Sequence, residues 1–344
     1  MSRPTPTAEA QLEFLGRIER ILAEGKFTTT YKFALLIAIT NIAVEKGNDT
    51  GDELKIDLDE IARQFLSLYW SMARPYPGIG EVLRQSTNSK KPATMLSALN
   101  IVCTQTAVSY ARRRVYHHSQ RKLVSNAMAT IKRDVLYRLQ SLGLGATARE
   151  DAFLYDFPLC STDCAGLKSI TLVAGASACL RRLRGVIIAM VEARWALWVR
   201  NTNRSLGADR TLEAFMFGAE RANVGRYAEP LFSLQSGTCF YTGEKLSSPA
   251  AGEVDHFIPW SRYPFDSPFN LVLASTKVNR AKTDLLAPPN YCDAWLHRNE
   301  VNFLALVDDP FNAMREDRAT ASAIAAWMYS TRTCGNTLPT YAKI

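Results

Sequence analysis

The apolar side chains of this chain change their period once, and that change constrains the fold more than any other feature. Leu12, Leu15, Ile18, Ile21 and Leu22 recur at helical spacing, with Gly25 as a stop. A second helix is expected from about Thr30 to Glu45, ending at Gly47. After the polar stretch GNDTGDE, a third begins near Asp57 and carries Ile61, Phe65, Leu68, Tyr69 and Met72. It stops before Pro75, because a residue preceding proline is disfavoured in the helical region. Residues 94 to 140 read as two further helices, followed by a Gly-rich break at 143 to 145. A long helix from about Ser177 to Asn201 then presents Leu180, Leu183, Val186, Ile187, Met190, Val191, Trp195 and Trp198 as its apolar face, the tryptophans being core rather than a base-stacking platform. Near residue 237 the pattern switches to short strand-like runs, Cys239 to Tyr241, Glu253 to Ile258 and Leu271 to Ala274, separated by the turn-forming TGEK, SSPAAG and YPFDSP. STKVNRAK, Ser275 to Lys282, reads as a short helix, and a helical tail carries Trp295, Leu304 and Ile324 to Met328. The expected fold is mainly α, with a compact ββα unit near the C-terminus. The expected domains are a helical one over 1–225, the ββα unit over 226–300, and a tail over 301–344 that packs on the rest.

Composition narrows the class. In 344 residues, 47% are apolar and 22% charged, which argues against wholesale disorder. The start, MSRPTPTAEAQ, lacks the apolar stretch of a signal peptide. The most apolar early run, Phe33 to Val44, is interrupted by Thr40 and Asn41 and is shorter than the ~20 residues a membrane span needs. The expectation is a cytoplasmic protein with no membrane partner, whose seven scattered cysteines are reduced thiols. Gly78 and Gly80 are too few for a phosphate-cradling loop, and no GKS or GKT occurs, which excludes a Walker-type ATPase. A formal charge of +8 suits a polyanion binder.

One segment, EVDHFIPWSRYPFDSPFNLVLASTKVNRAKTD, gathers the parts that phosphodiester hydrolysis needs. These are something to neutralise the phosphate, something to activate water, and a frame that holds both in line. Asp255 offers a carboxylate and His256 a base on the first strand. Asn270 opens the second strand, 14 residues after His256. Asn279 follows 9 residues later on the helix, with Lys282 three further on, hence on the same helix face. Taken singly, each residue is ordinary: a strand-edge ion pair, a turn asparagine, a solvated helix position. Together, a DH pair, a Pro-bearing loop, an NLV strand start and an NRxK helix form a specific pattern.

The pattern resembles the HNH, or ββα-metal, nucleases, and its DH, N and NRxK elements are arranged like those of the HNH domain in RNA-guided CRISPR nucleases. The resemblance implies a mainly α protein with an HNH nuclease unit. Its implied roles are Asp255 and Asn279 binding one divalent cation, Mg²⁺ or Mn²⁺, with His256 as general base. Asn270 would fix the loop that aims the histidine, and Lys282 and Arg280 would touch phosphate. The third letter of the motif is asparagine here rather than histidine and still offers an oxygen ligand. The phrases YKFALLIAITNIAVEKG, VEARWALWVRNTN and CFYTGE…VDHFIPWSRYPFD look like a group of bacterial HNH proteins with a helical front half, a group associated with mobile elements and anti-phage defence. The implied activity is a DNA endonuclease that nicks one strand per site, with defence-system proteins as further partners. An RNA nuclease and a non-catalytic DNA- or partner-binding module are the alternatives.

This sequence departs from many relatives in one respect. Cys239 is followed three positions later by Thr242 rather than a second cysteine, and Cys292 is also unpaired. No structural zinc is therefore expected, and Cys239 reads as a small buried apolar residue. Outside the motif, residues 75 to 140 hold eleven basic residues against only Glu81 and Asp134. Their densest part, ARRRVYHHSQRK with Arg112, Arg113 and Arg114, is a candidate grip on a nucleic-acid backbone.

Overall fold

The computed structural model describes residues 2–87, 94–105, 118–141, 152–156, 160–206, 211–218, 224–263, 267–301 and 313–330. The chain divides into two compact units, Met1–Gly218 and Ala219–Ile344. Arg112, Arg113 and Arg114, the break at 143 to 145, and Leu304 lie outside the described residues.

In the first unit, α1 (Ala8–Glu24) starts at Thr7, whose hydroxyl accepts the amide of Ala10, and ends at Gly25. Of the predicted apolar stripe, Ile18, Ile21 and Leu22 are buried, whereas Leu12 is 68% exposed. Helix α2 (Tyr31–Lys46) is buried along nearly its whole length, as a helix apolar on all sides must be. Strand β1 (Leu54–Asp57) leads into α3 (Leu58–Tyr69), which gives way to a single 3₁₀ turn at Ser71–Ala73, before Pro75. Next come α4 (Thr94–Gln105) and α5 (His118–Thr130), the latter running into a π-helical turn, Ile131–Val135. Strand β2 (Ser169–Leu172) pairs antiparallel with β1, from Leu54 opposite Leu172 to Asp57 opposite Ser169.

The single helix expected over 177 to 201 is in fact two, α6 (Ala176–Arg182) and α7 (Arg184–Thr202), broken at Leu183. The break follows from Arg181. Its buried guanidinium donates to the last carbonyls of α2, Ala43 at 3.3 Å and Val44 at 2.6 Å, and pairs with Asp49 at 3.2 Å. That anchor sets the direction of α6, while Gly185, a poor helix former, lets the chain re-aim. Val186, expected on the apolar face, is consequently 49% exposed. Trp195 is buried, as expected of core, against Phe33, Tyr69 and Phe217. Helix α8 (Leu212–Phe217) completes the unit.

The second unit holds α9 (Ala228–Leu234), β3 (Gly252–His256), β4 (Leu271–Ser275), α10 (Thr276–Lys282), α11 (Pro289–Val301) and α12 (Ala313–Ser330). Strands β3 and β4 pair antiparallel, placing Asp255 opposite Val272 and His256 opposite Leu271. The strand expected over Cys239 to Tyr241 is instead a tight turn. Cys239 N–H donates to Glu244 O and Gly243 N–H to Cys239 O, and the chain reverses at Gly243 with φ of +73°. Strand-type pairing across this reversal is limited to one bridge, Thr238 to Lys245.

This turn and α9 serve the open edge of β4, where every second residue presents backbone polar groups outward. The Gln235 amide accepts Leu273 N–H and donates to Leu273 O, both at 2.8 Å. Phe240 N–H also donates to Leu273 O, and Ser275 N–H donates to Cys239 Sγ at 3.2 Å. At the other end of the strand, Arg298 donates to Leu271 O at 2.6 Å. A two-stranded hairpin is thereby given a satisfied edge without a third strand.

The contrast within α1 is measurable. Ile18→Ala is expected to lower the unfolding free energy by roughly 2–5 kcal/mol, as large-to-small core changes do. Leu12→Ala should stay within about 0.5 kcal/mol. Denaturant titration of the full chain followed by circular dichroism reads both, and equal losses would contradict this orientation of α1.

Candidate nuclease site

The motif residues meet between β3 and the second half of α10. Asp255, 8% exposed, accepts a hydrogen bond from Tyr241 Oη on Oδ2 at 2.7 Å. It also pairs with Lys282 Nζ, at 3.0 Å to Oδ2 and 3.3 Å to Oδ1. Burial, and then the adjacent Asp255 carboxylate, push the Tyr241 hydroxyl far above its ordinary pKa, so it stays a donor. Lys282 Nζ donates in addition to the carbonyl of His256 at 2.8 Å. Lysine 282 was expected at phosphate on the strength of its helix face. It is instead completely buried, its ammonium used within the fold to bind α10 to the end of β3.

His256 lies beside the indole of Trp260, ring centres 5.2 Å apart and planes tilted by 56°. The segment after it is held by Asn270. The Asn270 side chain accepts Ile258 N–H at 2.8 Å and donates to Ile258 O at 3.1 Å, while its own carbonyl accepts Phe257 N–H at 2.7 Å. An amide side chain thus extends the ladder by one rung, two residues beyond the histidine. Among expected site residues, Arg280 is exposed on α10 and carries no ion pair among the described residues.

Asn279 Nδ2 donates to Glu253 Oε2 at 2.7 Å. That bond fixes which end of the amide is which. Oδ1 remains an acceptor with no hydrogen bond among the described residues. A carboxylate with lone pairs to spare and an open amide oxygen are hard oxygen donors, and they fit a small divalent cation that keeps several waters. No group of three or more His, Cys, Asp or Glu placed to hold a metal occurs among the described residues, so few protein ligands are on offer. Cys239 is buried as expected, yet it is more than a small apolar residue. Burial pushes its thiol up, but hydrogen bonds from the Thr242 hydroxyl and the N–H groups of Ser275, Thr242 and Tyr241 outweigh this and bring it below its ordinary value.

Sequence reasoning passed over Glu253, Tyr241 and the β4 clamps. Glu253 was legible, since it stands two residues before Asp255 on one strand and therefore shares its face. Tyr241 carried no signal, because it reaches Asp255 only through the turn at 239–244. Of the basic stretch, Arg84, Arg121, Lys122, Arg133 and Arg138 are exposed. Arg133 is paired with Asp134 at 2.7 Å, and Lys132 donates to the Ala165 carbonyl. No helix among the described residues is long and apolar enough to cross a membrane.

Two family matches accompany this geometry. Residues 239–287 match the HNH endonuclease family, and residues 11–138 match a domain of unknown function (DUF8808). No curated protein matches the chain. The first match spans the turn, both strands and α10, and it points to a nuclease, to a nucleic-acid substrate and to the divalent metal that HNH nucleases generally use.

Lys282 and Arg280 should separate cleanly. Lys282→Ala leaves Asp255 buried without its counter-ion and should cost the second unit about 3–5 kcal/mol, the range for breaking a buried pair. Arg280→Ala should stay within about 0.5 kcal/mol. Thermal melts of both variants check this, and an undisturbed Lys282→Ala protein would refute the clamp.

Proposed function

We propose, from the premise that this chain carries an HNH endonuclease domain at residues 239–287, that it is a metal-dependent DNA endonuclease that nicks one strand per site. The observation that supports this best is the convergence of Asp255, His256 and Asn279 on one hairpin and its following helix, with Asn270 locking the loop between them. Asp255 Oδ1 and Oδ2 and Asn279 Oδ1 would hold Mg²⁺ or Mn²⁺. When bound there, the cation supplies neutralising charge to the scissile phosphate.

The chain's own groups do the rest. A neutral imidazole near physiological pH accepts a proton from water, so His256 takes one from the water that attacks phosphorus. The P–O bond to the leaving sugar oxygen then breaks, and that oxygen is protonated by solvent. Trp260 against the ring limits its rotation, and Asn270, through Ile258, fixes the backbone behind it. Lys282 and Tyr241 hold the Asp255 carboxylate in one orientation. Arg280 contacts phosphate from the exposed side of α10, and Arg112, Arg113 and Arg114 grip the nucleic-acid backbone.

Incubation with supercoiled plasmid, linear duplex, single-stranded DNA and RNA, with Mg²⁺, Mn²⁺ or EDTA, tests the reading. Wild type should convert supercoiled plasmid to open circles with either ion and not with EDTA, and His256→Ala should abolish conversion with fold and DNA binding intact. Cutting by His256→Ala at the wild-type rate would remove this site from the reaction. Cleavage confined to RNA would replace the substrate class.

The basic stretch gives an independent test. Each neutralised phosphate contributes about −0.9 to the slope of log affinity against log salt. Changing Arg112, Arg113 and Arg114 to Glu should therefore flatten that slope by up to ~2.7, across all sequences alike, since phosphate contacts carry little sequence information. An unchanged slope would remove these arginines from the interface.

A further inference from the structure

Beyond the matched residues 239–287, helix α11 carries a buried guanidinium that nothing in the motif accounts for. Arg298 is 8% exposed and no carboxylate pairs with it among the described residues. Burial lowers its pKa to about 9, a measure of how poorly water-like its surroundings are. An unpaired buried charge is expensive, and an apolar residue of similar size would pack there at less cost. What the guanidinium does is specific. Nη1 donates to Leu271 O at 2.6 Å and Nη2 to Phe269 O at 3.2 Å, the carbonyls on either side of Asn270. Asn299 completes the fork. Its Oδ1 accepts Arg298 Nη2 at 2.7 Å and Nε at 3.2 Å, and its Nδ2 donates to Phe269 O at 3.0 Å.

We infer that Arg298, seated by Asn299, is a positioning residue for the general base. It acts by gripping the backbone on both sides of Asn270, whose side chain in turn fixes Ile258, two residues after His256. The planar fork matters more than the charge. A guanidinium reaches two carbonyls and an amide oxygen at once, and an ammonium on a flexible stem does not. This role rests on the nuclease reading of His256 and extends it to a helix outside the family match.

The test uses the full chain in two arms. In the first, plasmid nicking under single-turnover conditions with saturating Mg²⁺ is compared for wild type, Arg298→Met, Arg298→Lys, Asn270→Ala and the Asn270→Ala/Arg298→Met double variant. Arg298→Met and Arg298→Lys should both slow cutting ~10- to 100-fold, as loss of an orienting partner does, with plasmid affinity unchanged. The double variant should be no slower than the slower single one, because both act through one link. The second arm is independent of activity and follows the ring Cε1–H signals of the metal-free protein by NMR. The chain has four histidines, and the His256 signal is identified by its loss in His256→Ala. It should shift or broaden in Arg298→Met and in Asn270→Ala alike. Should Arg298→Met fail to fold, Asn299→Ala replaces it in both arms.

A wild-type rate in Arg298→Met or Arg298→Lys overturns the inference, as do multiplicative losses in the double variant. A slowed variant whose His256 signal has not moved also overturns it, because the effect is then loss of stability alone. If wild type cuts no nucleic acid, the nuclease reading fails, and the NMR arm still decides whether Arg298 sets the position of His256.

Discussion

Lys282 Nζ ties helix α10 to strand β3, and the rest of the site depends on that tie. Removing two charges from water costs several kcal/mol per ion, and the pair returns this only when the geometry is good and the remaining hydrogen-bonding capacity is filled. The geometry is good here, and the ammonium's capacity is filled, while the carboxylate keeps lone pairs to spare. The Asp255 carboxylate has the ammonium and the Tyr241 hydroxyl, and the ammonium has the carboxylate and the His256 carbonyl. The end of β3 and the last turn of α10 are thus one body. Asn279 lies nearly one turn earlier on the same helix, so its meeting with Glu253 is fixed by the same joint. One interaction sets the register of both oxygen donors.

The unit that carries the candidate site is larger than the motif that announces it. An isolated two-stranded hairpin is marginal in water at best. This one is sustained from both sides of residues 239–287. Gln235 comes before the match, and Arg298 and Asn299 after it, and all three bond to carbonyls of the β4 segment. Farther on, Tyr329 on α12 donates to Ala287 O at 2.7 Å and Trp327 meets the ring of Tyr263. Trp295 stacks on Phe257, the residue after the histidine, with ring centres 4.7 Å apart. Helices α11 and α12 are therefore part of the scaffold of this unit.

What could be read from the sequence was whatever is local in the chain. The DH pair, the strand start at Asn270 and the NRxK helix are short-range patterns, and both strands and α10 formed within a residue or two of their expected limits. The helix limits at Gly25 and Gly47 were legible for the same reason, whereas α3 ends at Tyr69, short of Met72 and Pro75. What failed depends on partners distant in sequence. The β1–β2 ladder joins segments more than a hundred residues apart, each too short to show a period. The kink at Leu183 is imposed by carbonyls of α2. Lys282 was placed at phosphate because spacing gives a helix face, and spacing says nothing about whether that face looks outward. Arg298 could not be found at all, because an arginine on an amphipathic helix ordinarily lies at the surface.

Both units bury polar groups, and what those groups hold differs. In the first, Arg181 is buried against the last carbonyls of α2 and paired with Asp49, and a second network is neutral. Tyr69 Oη and Thr30 Oγ1 lie 2.6 Å apart, and Thr30 Oγ1 and Trp195 Nε1 both donate to Gln85 Oε1. Such groups cost little once bonded, and they specify one packing of helices. In the second unit three of the buried polar groups are charges, Asp255, Lys282 and Arg298, none more than 8% exposed, and all three meet in the β3–β4 segment. Apolar residues of like volume would stabilise that fold more readily. A chain that breaks the rule of apolar interiors at three places around one histidine spends stability on geometry, and departures of that kind gather at working sites. The buried Arg181 of the first unit caps a helix end, whereas the buried charges near His256 hold the carboxylate and the backbone of the candidate site, so they answer to that site as well as to folding.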